Sequence, residues 1–460
     1  MKCDGRKVQN KNNSTALKIG FISLGCAKNL INTEQMVATV IKAGYQFCDT
    51  PENSDVVVIN TCGFIEAAKV EALDTIFEMV QLKKEKKIKA IIVAGCLSQR
   101  YKDEIESEIY EVDGFIGVGS FQYIAEAIQT VINDQKYTRF DSREQLQLEG
   151  ERILSTPARY AYIKIADGCS NCCSYCAIPL IRGKFKSRKM EDILAEAKSL
   201  AKRGVRELIV VAQDTTNYGV DIYKKRMLAP LLTKLCEIEG IDWIRVMYLY
   251  PEKIDDQLIS VIKNEPKILK YIEMPIQHAD SGVLKAMRRK GDSHQLLQLI
   301  EKLRSQIKDV ILRTTIMVGF PGEDNLAFLN LCEFLKQAQF DKLGVFAFSP
   351  EVGTAAYEFD NQVADEIKHS RAEAVEVLQS DIVYKKQQKL IGKTFDVLVE
   401  GYDQLVKMYF GRSYMEAPEI DGQIFFTGRG GYELGDIIPV TITETIDFDL
   451  LGEEAVIEHT

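Results

Sequence analysis

The chain has 460 residues, with 58 Lys and Arg against 67 Asp and Glu for a formal net charge of −9, and 11 Cys against 4 His. A hydrophobic content of 46% with 27% charged residues excludes a disordered chain, and the length makes two to four ordinary domains. The acidic balance excludes a simple polyanion binder, because phosphate contacts need Lys and Arg, unless the negative charge is unevenly spread.

No apolar run is long enough to span a bilayer. Met1–Lys18 is polar and basic, lacks the apolar stretch of a secretory signal, and reads as a frayed leader. The expected location is the cytoplasm, where thiols stay reduced and structural disulfides do not explain eleven Cys. Clustered, ligand-spaced cysteines would point to metal.

In chain order, the first 150 residues alternate apolar runs with helix-period segments. The runs are Leu17–Leu24, Asp55–Asn60, Lys89–Ala94 and Gly114–Val118; the helical segments are Asn32–Ala43, Ile65–Val80, Ser98–Glu108 and Phe121–Ile132, with Lys83–Lys87 a surface turn. This predicts a parallel sheet covered by helices. Lys136–Ser155 is charged and weakly periodic, and reads as a linker.

The alternation then resumes, with strands expected at Tyr160–Ala166, Glu207–Asp214, Trp243–Tyr250, Tyr271–Gln277, Val310–Val318 and Lys342–Phe348, and helices such as Met190–Arg203 and Asn325–Gln337. Six βα units predict a partial (β/α)6 barrel, since a full barrel has eight. Asp365–Leu390 reads as a polar connecting helix. From Gly392 short runs broken by Gly (Phe395–Gly401, Leu405–Gly411, Gly422–Phe426, Ile437–Thr443) predict a small antiparallel β-barrel. The expected class is α/β, with domains at 17–140, 155–390 and 391–460.

Two cysteine sets carry chemistry. Cys169, Cys173 and Cys176 have the spacing C-x3-C-x2-C and follow the first strand of the partial barrel, at the face where βα barrels place active sites. Three thiolates in one loop can hold three irons of a cubane and leave the fourth open. The alternative is zinc, but Cys172 and Cys173, being adjacent, would crowd one tetrahedron, and no second C-x2-C pair exists. Cys26, Cys62 and Cys96 each follow a predicted parallel strand, one βα unit apart, in Gly- or Thr-flanked loops. Strand carboxyl ends line the ligand crevice of an open sheet, so these three are expected to hold a second cluster rather than be independent buried thiols. Cys3, Cys48, Cys172, Cys236 and Cys332 read as bystanders.

The C-x3-C-x2-C loop, with Tyr175 before its last Cys, resembles the radical S-adenosylmethionine (SAM) enzymes. The three-Cys N-terminal domain and C-terminal barrel resemble the methylthiotransferases among them. Matching words include Ile22-Ser-Leu-Gly-Cys-Ala-Lys-Asn29, Asn60-Thr-Cys-Gly-Phe-Ile65, Ala94-Gly-Cys-Leu-Ser-Gln-Arg100, Gln213-Asp-Thr-Thr216 and Gly411-Arg-Ser-Tyr414, from about Leu17 to the end. Many relatives have Pro where this chain has Ala27 and a basic residue where it has Cys172; neither change removes a ligand. The resemblance implies two 4Fe–4S clusters and SAM. Cys169, Cys173 and Cys176 would hold the cluster that cleaves SAM to a 5′-deoxyadenosyl radical; Cys26, Cys62 and Cys96 would hold the one that delivers sulfur. It also implies a low-potential donor such as flavodoxin or ferredoxin, and a TRAM-like barrel. Strand-end position makes Tyr175, Gln213, Gln277 and Gly319 candidate SAM contacts. His278 reads either as a general base or as a structural histidine. The basic segment Arg182, Lys184, Lys186, Arg188 and Lys189 reads either as a solvated loop or as a contact for acidic groups, and Arg288, Arg289 and Lys290 as helix-end cations.

One branch of that family modifies an aspartate of a small-subunit ribosomal protein, the other adenosine in transfer RNA. Ile391–Thr460 holds four cations and fourteen acids, a net of −10, leaving the rest at +1. Such a barrel should repel RNA and attract a basic protein. This favours the ribosomal-protein branch, with RNA binding expected only as part of the ribosome.

Overall fold

The computed structural model describes residues 16–156 and 159–455; the leader before residue 16 and its Cys3 lie outside the described residues. By compactness the chain divides into an N-terminal unit up to Ile153 and a C-terminal unit from Leu154, with 64–66 and 148–150 belonging to the second.

The N-terminal unit is a parallel sheet of β1 (Lys18–Ser23), β2 (Gln46–Cys48), β3 (Val56–Thr61), β4 (Ala90–Gly95), β5 (Gly114–Ile116) and β6 (Tyr137–Arg139), in the order β2-β1-β3-β4-β5-β6. The central strands, Val-Val-Val-Ile-Asn-Thr and Ala-Ile-Ile-Val-Ala-Gly, are buried at every residue, as strands covered on both faces must be. Two expectations are corrected here. The edge strands β2 and β6 are three residues each and too short for periodicity to reveal, and β6 lies inside the segment read as a linker. That segment is packed: Arg152 pairs with Glu34 at 2.9 Å, both side chains nearly inaccessible. The helix Glu66–Lys84 also runs into the segment read as a basic turn.

In the C-terminal unit β7 (Tyr160–Lys164) is followed by the short antiparallel pair β8 (Ala166–Asp167) and β9 (Lys186–Ser187). Then come β10 (Glu207–Val211), β11 (Trp243–Val246), β12 (Ile268–Glu273), β13 (Ile311–Val318) and β14 (Lys342–Ala347). The main sheet is β14-β13-β12-β11-β10-β7, all parallel and in chain order, the arrangement of a partial barrel. The helix Asp365–Gln387 is no mere connector. Its Val375 lies in the main core, Gln379 donates to the Phe340 carbonyl at 3.0 Å, and Lys386 pairs with Asp341 at 2.5 Å.

The barrel closes through β15 (Thr394–Asp403), β16 (Met408–Arg412), β17 (Ile424–Thr427), β18 (Ile437–Ile446) and β19 (Asp449–Glu454). It departs from expectation in having five strands, one pair of which, β17 and β19, is parallel. Acidic Asp-Leu-Leu-Gly-Glu-Glu hid the fifth strand, because acids are poor strand formers until neighbours pack them.

The barrel joins the main sheet through buried charge. Arg245 donates to Glu207 at 2.8 Å, and Arg412 donates to Glu207 at 2.8 Å and to Glu400 at 2.7 Å. The Tyr271 hydroxyl donates to Asp421 at 2.7 Å, and Arg313 reaches the same carboxylate at 3.3 Å. Glu207 and Lys342 begin their strands, so the barrel docks at the amino-terminal end of the sheet.

Candidate functional site

The C-x3-C-x2-C loop leaves the carboxyl end of β7, and the β8–β9 pairing of Ala166 with Ser187 and Asp167 with Lys186 clamps its two ends together. Asp167 organises the entry. Its buried carboxylate accepts from Lys164 at 2.8 Å, Arg182 at 2.8 Å, the Gly168 amide at 2.8 Å and Gln213 at 2.9 Å. Burial alone would raise this carboxyl; the Arg182 and Lys164 charges outweigh it and hold the group well below its ordinary range. Gly168 sits at φ +72°, and a β-carbon there would collide with the Lys184 and Gly183 carbonyls, so the turn into Cys169 requires Gly.

Cys169 is buried, Cys173 and Cys176 are half-buried, and Cys172 is exposed. Burial pushes the Cys169 thiol up to about 11 and Cys176 up to about 12. Both are thiols until a bound metal withdraws the proton. Ser174 anchors the loop, donating to the Ala286 carbonyl at 2.7 Å through its hydroxyl and to the Met287 carbonyl at 3.1 Å through its amide. Asn171 donates to the buried Asp214 at 2.8 Å, and Lys253 bridges Asn171 at 2.8 Å and Asp214 at 2.5 Å. The Tyr250 hydroxyl lies 4.0 Å from the Cys173 sulfur, and its ring carries Arg289 at 4.3 Å and Lys253 at 4.6 Å. Sequence reasoning missed Tyr250 and Lys253 and misread Arg289. Arg289 is 8% exposed and donates to the Pro275 carbonyl, whereas a helix-end cation would face water.

Tyr175 is half-buried against the apolar cluster of Val283, Met287, Phe320 and Phe348. Gln213 donates to Asp167, while its Oε1 is buried without a hydrogen-bond partner. Gln277 bridges by backbone to β13, its amide donating to the Thr315 carbonyl and its carbonyl accepting from Met317. Gly319 forms a turn whose amide donates to Glu323 at 2.7 Å. Buried His278 accepts the Asp280 amide at Nδ1 and lies 3.6 Å from Glu323 at Nε2, a packed position that favours the structural reading. Of the basic segment, Arg182 and Arg188 are internal, Arg188 pairing with Glu149 and with Glu196, whereas Lys184, Lys186 and Lys189 are exposed.

The second set is built in the N-terminal unit. Cys26 caps the helix Ala27–Lys42, Cys62 follows β3, and Cys96 opens the helix Cys96–Arg100 after β4. β1, β3 and β4 are adjacent, and Ser23 pairs with Asn60, Asn60 with Ala94 and Thr61 with Gly95. All three cysteines therefore leave the same sheet edge. Gly25, at φ +83°, lets the loops touch: a β-carbon there would stand 2.6 Å from that of Cys62 and 3.0 Å from its sulfur. Asn29, 1% exposed, ties the loops together. Its amide donates to the Leu24 carbonyl at 3.0 Å and the Thr61 carbonyl at 2.9 Å, and its Oδ1 lies 3.8 Å from the Cys96 sulfur.

Among the described residues, no three His, Cys, Asp or Glu side chains stand close enough to hold one metal ion. A cubane puts each thiolate on a different iron, a wider spacing than the tetrahedron of a single zinc. Among the described helices, none is long and apolar enough to cross a membrane.

Three family models match: the uncharacterized protein family UPF0004 at residues 18–117, the radical SAM superfamily at 163–335 and the TRAM domain at 391–455. The chain is 44% identical over 444 residues to the ribosomal protein uS12 methylthiotransferase RimO of Acetivibrio thermocellus, covering 95% of this chain and 98% of that one. It is 46% identical to the protein of the same name in Caldicellulosiruptor saccharolyticus, covering 95% and 99%. Among solved structures, the radical SAM methyltransferase TsrM of Kitasatospora setae, with cobalamin and a 4Fe–4S cluster bound, superposes with a TM-score of 0.55 at 10% identity, covering 72% of this chain and 75% of that one. That likeness speaks to the fold alone.

Proposed function

Because the chain belongs to the family of ribosomal protein uS12 methylthiotransferases, which are radical SAM enzymes, we propose that it inserts a methylthio group at the β-carbon of an aspartate in the small-subunit ribosomal protein uS12. Similarity to such relatives over 95% of the chain carries the reading. Two cysteine sets at strand carboxyl ends agree with it.

The radical SAM domain takes SAM and a 4Fe–4S cluster, and the donor set fits. Cys169, Cys173 and Cys176 supply three soft thiolates from one clamped loop and leave a fourth iron site for SAM. When bound, cluster and SAM together supply a hydrogen-abstracting radical, which side chains cannot generate. The chain's own groups hold and shield it. Gly168 admits the turn, and Asp167 and Ser174 fix the two halves of the loop. Arg289 and Lys253, flanking Tyr250, offset the negative charge of the thiolates. Gln213, whose Oε1 is buried without a hydrogen-bond partner, Tyr175 on the apolar wall, and Gln277 and Gly319 at the strand ends would be the residues that hold SAM. Cys26, Cys62 and Cys96 would hold a second cluster, whose chemistry would be to supply the sulfur, and Asn29 keeps their loops in register. The division of labour follows residues 17–140, 155–390 and 391–460.

Exposed barrel acids, among them Asp396, Glu433, Glu444 and Glu453, support a basic protein as substrate. A low-potential flavodoxin or ferredoxin supplies electrons, in a cytoplasm that keeps the thiols reduced.

The test uses anaerobically reconstituted protein with SAM, sulfide and reductant. It is offered uS12 free, uS12 in small subunits, or an unmodified transfer-RNA stem-loop, and products are read by mass spectrometry. Methylthiolation of the uS12 aspartate is expected; modification of the RNA alone would overturn the proposal.

A further inference from the structure

At the amino-terminal end of the main sheet, away from the cysteine loop, a cavity of about 660 Å³ opens between the strand starts, the end of the helix Asp365–Gln387 and the barrel. Its floor is apolar, including Ile268, Val310, Val383, Leu390, Phe395 and Tyr414, with the last two rings 6.4 Å apart. Its polar lining contradicts the charge of the chain. Six lysines face three acids, Asp309, Asp341 and Glu416, in a protein of net −9.

Those acids neutralise only two of the six lysines. Lys386 is paired with Asp341 at 2.5 Å, and Lys342 stands 3.8 Å from Glu416. Lys270 donates to the carbonyls of Ile262 and Glu265, so its charge is hydrogen-bonded yet not cancelled. Lys308, Lys389 and Lys393 are exposed at the rim, and no carboxylate among the described residues lies within ion-pair distance of them. Burial, reinforced by the Arg304 and Lys389 charges, holds Lys386 below the ordinary lysine range in spite of Asp341. Uncompensated positive charge over an apolar floor matches a ligand with an aromatic body and a polyanionic end.

We propose that this cavity is a second binding site, separate from the radical SAM site, for an organic phosphate of nucleotide size, its base on the floor beside Phe395 and Tyr414 and its phosphates on the rim lysines. The volume falls in the ordinary range for small-ligand pockets. A free nucleotide and a nucleotide within an RNA strand share this chemistry. The site does not depend on methylthio transfer.

Binding of a fluorescent ATP analogue to the full-length protein, read by anisotropy at several salt concentrations, tests the proposal. Saturable binding is expected. Lys308→Gln, Lys389→Gln and Lys393→Gln together should weaken it at least tenfold and reduce the log–log salt slope by about 2, at roughly 0.7 per lost phosphate contact. Phe395→Leu should weaken the nucleotide but leave competition by inorganic pyrophosphate unchanged. A control triple at exposed lysines elsewhere (Lys198→Gln, Lys202→Gln, Lys263→Gln) should match wild type. Displacement of the analogue by an octamer of single-stranded RNA would identify RNA as the source; displacement by ATP alone would identify the free nucleotide. No saturable binding at 0.1 M salt, or equal effects of the rim and control triples, would overturn the site.

Discussion

Arg412 offers the sharpest test of how the barrel is held. It is 1% exposed, donates to Glu207 and Glu400, and stacks over the Tyr160 ring at 5.2 Å. Replacing it with Met keeps most of the volume but leaves Glu207, itself inaccessible, with Arg245 as its remaining charge partner. Breaking a buried pair from one side costs about 3–5 kcal/mol. At roughly 2 °C per kcal/mol for a unit of this size, the Tm should fall by about 6–10 °C. A sign follows for pH. Burial alone would raise the Glu207 carboxyl, but the Arg412 and Arg245 charges win and hold it below its ordinary range. Its contribution is therefore present above the unfolded carboxyl pKa and lost as pH falls through the depressed folded value, so the gap between wild type and Arg412→Met should close on acidification from pH 7. Differential scanning calorimetry across pH measures both. In a double-mutant cycle, Glu207→Gln added to Arg412→Met should cost less than the sum of the singles. A Tm loss under 1 °C, or strict additivity, would refute the account of this interface.

Three further outcomes concern the cysteine sets. Cys173→Ala should abolish reductive SAM cleavage, whereas Cys62→Ala should cleave SAM yet transfer no sulfur; equal loss of cleavage in both folded variants would end the proposed division of labour. Gly168→Ala should lower iron bound at the radical loop severalfold, because the turn has no room for a methyl group; normal iron with normal cleavage would show that the turn relaxes. Asn29→Leu should halve total iron while retaining SAM cleavage, since it releases the Leu24 and Thr61 carbonyls and the neighbour of Cys96. Mössbauer spectra with cleavage assays would show which cluster is lost.

Much of this was legible because it is local or periodic. Strands such as Val56–Thr61 are continuous apolar runs, and a cysteine one to three residues beyond each of three neighbouring strands must reach one sheet edge. What stayed hidden depends on contacts distant in sequence. Nothing near Tyr250 announces that it meets Cys173, 77 residues away. Arg289 looks like an ordinary helix-end cation until the fold buries it over that ring. β6 and β19 were obscured by composition, since three residues carry no period and an acidic strand looks like loop.

The same distance effect changes the meaning of charge in the barrel. Counted along the chain, every acid from Ile391 onward weighs equally toward −10. In the fold, Glu416 and Asp421 turn toward Lys342 and Arg313 and hold the barrel on the sheet, and Glu400 pairs inside the barrel with Arg412, so all three contribute little outward field. Attraction for a basic partner falls to the acids that remain exposed, a smaller and more local patch. The barrel docks at the amino-terminal ends of the strands and the C-x3-C-x2-C loop leaves their carboxyl ends, roughly 20 Å apart for strands of about six residues. A ligand the size of an amino acid cannot touch both. A folded protein can, held by charge at one end while a single side chain enters the other. For the proposed uS12 substrate, this separation would let the barrel contribute to recognition while the cysteine loop carries the chemistry.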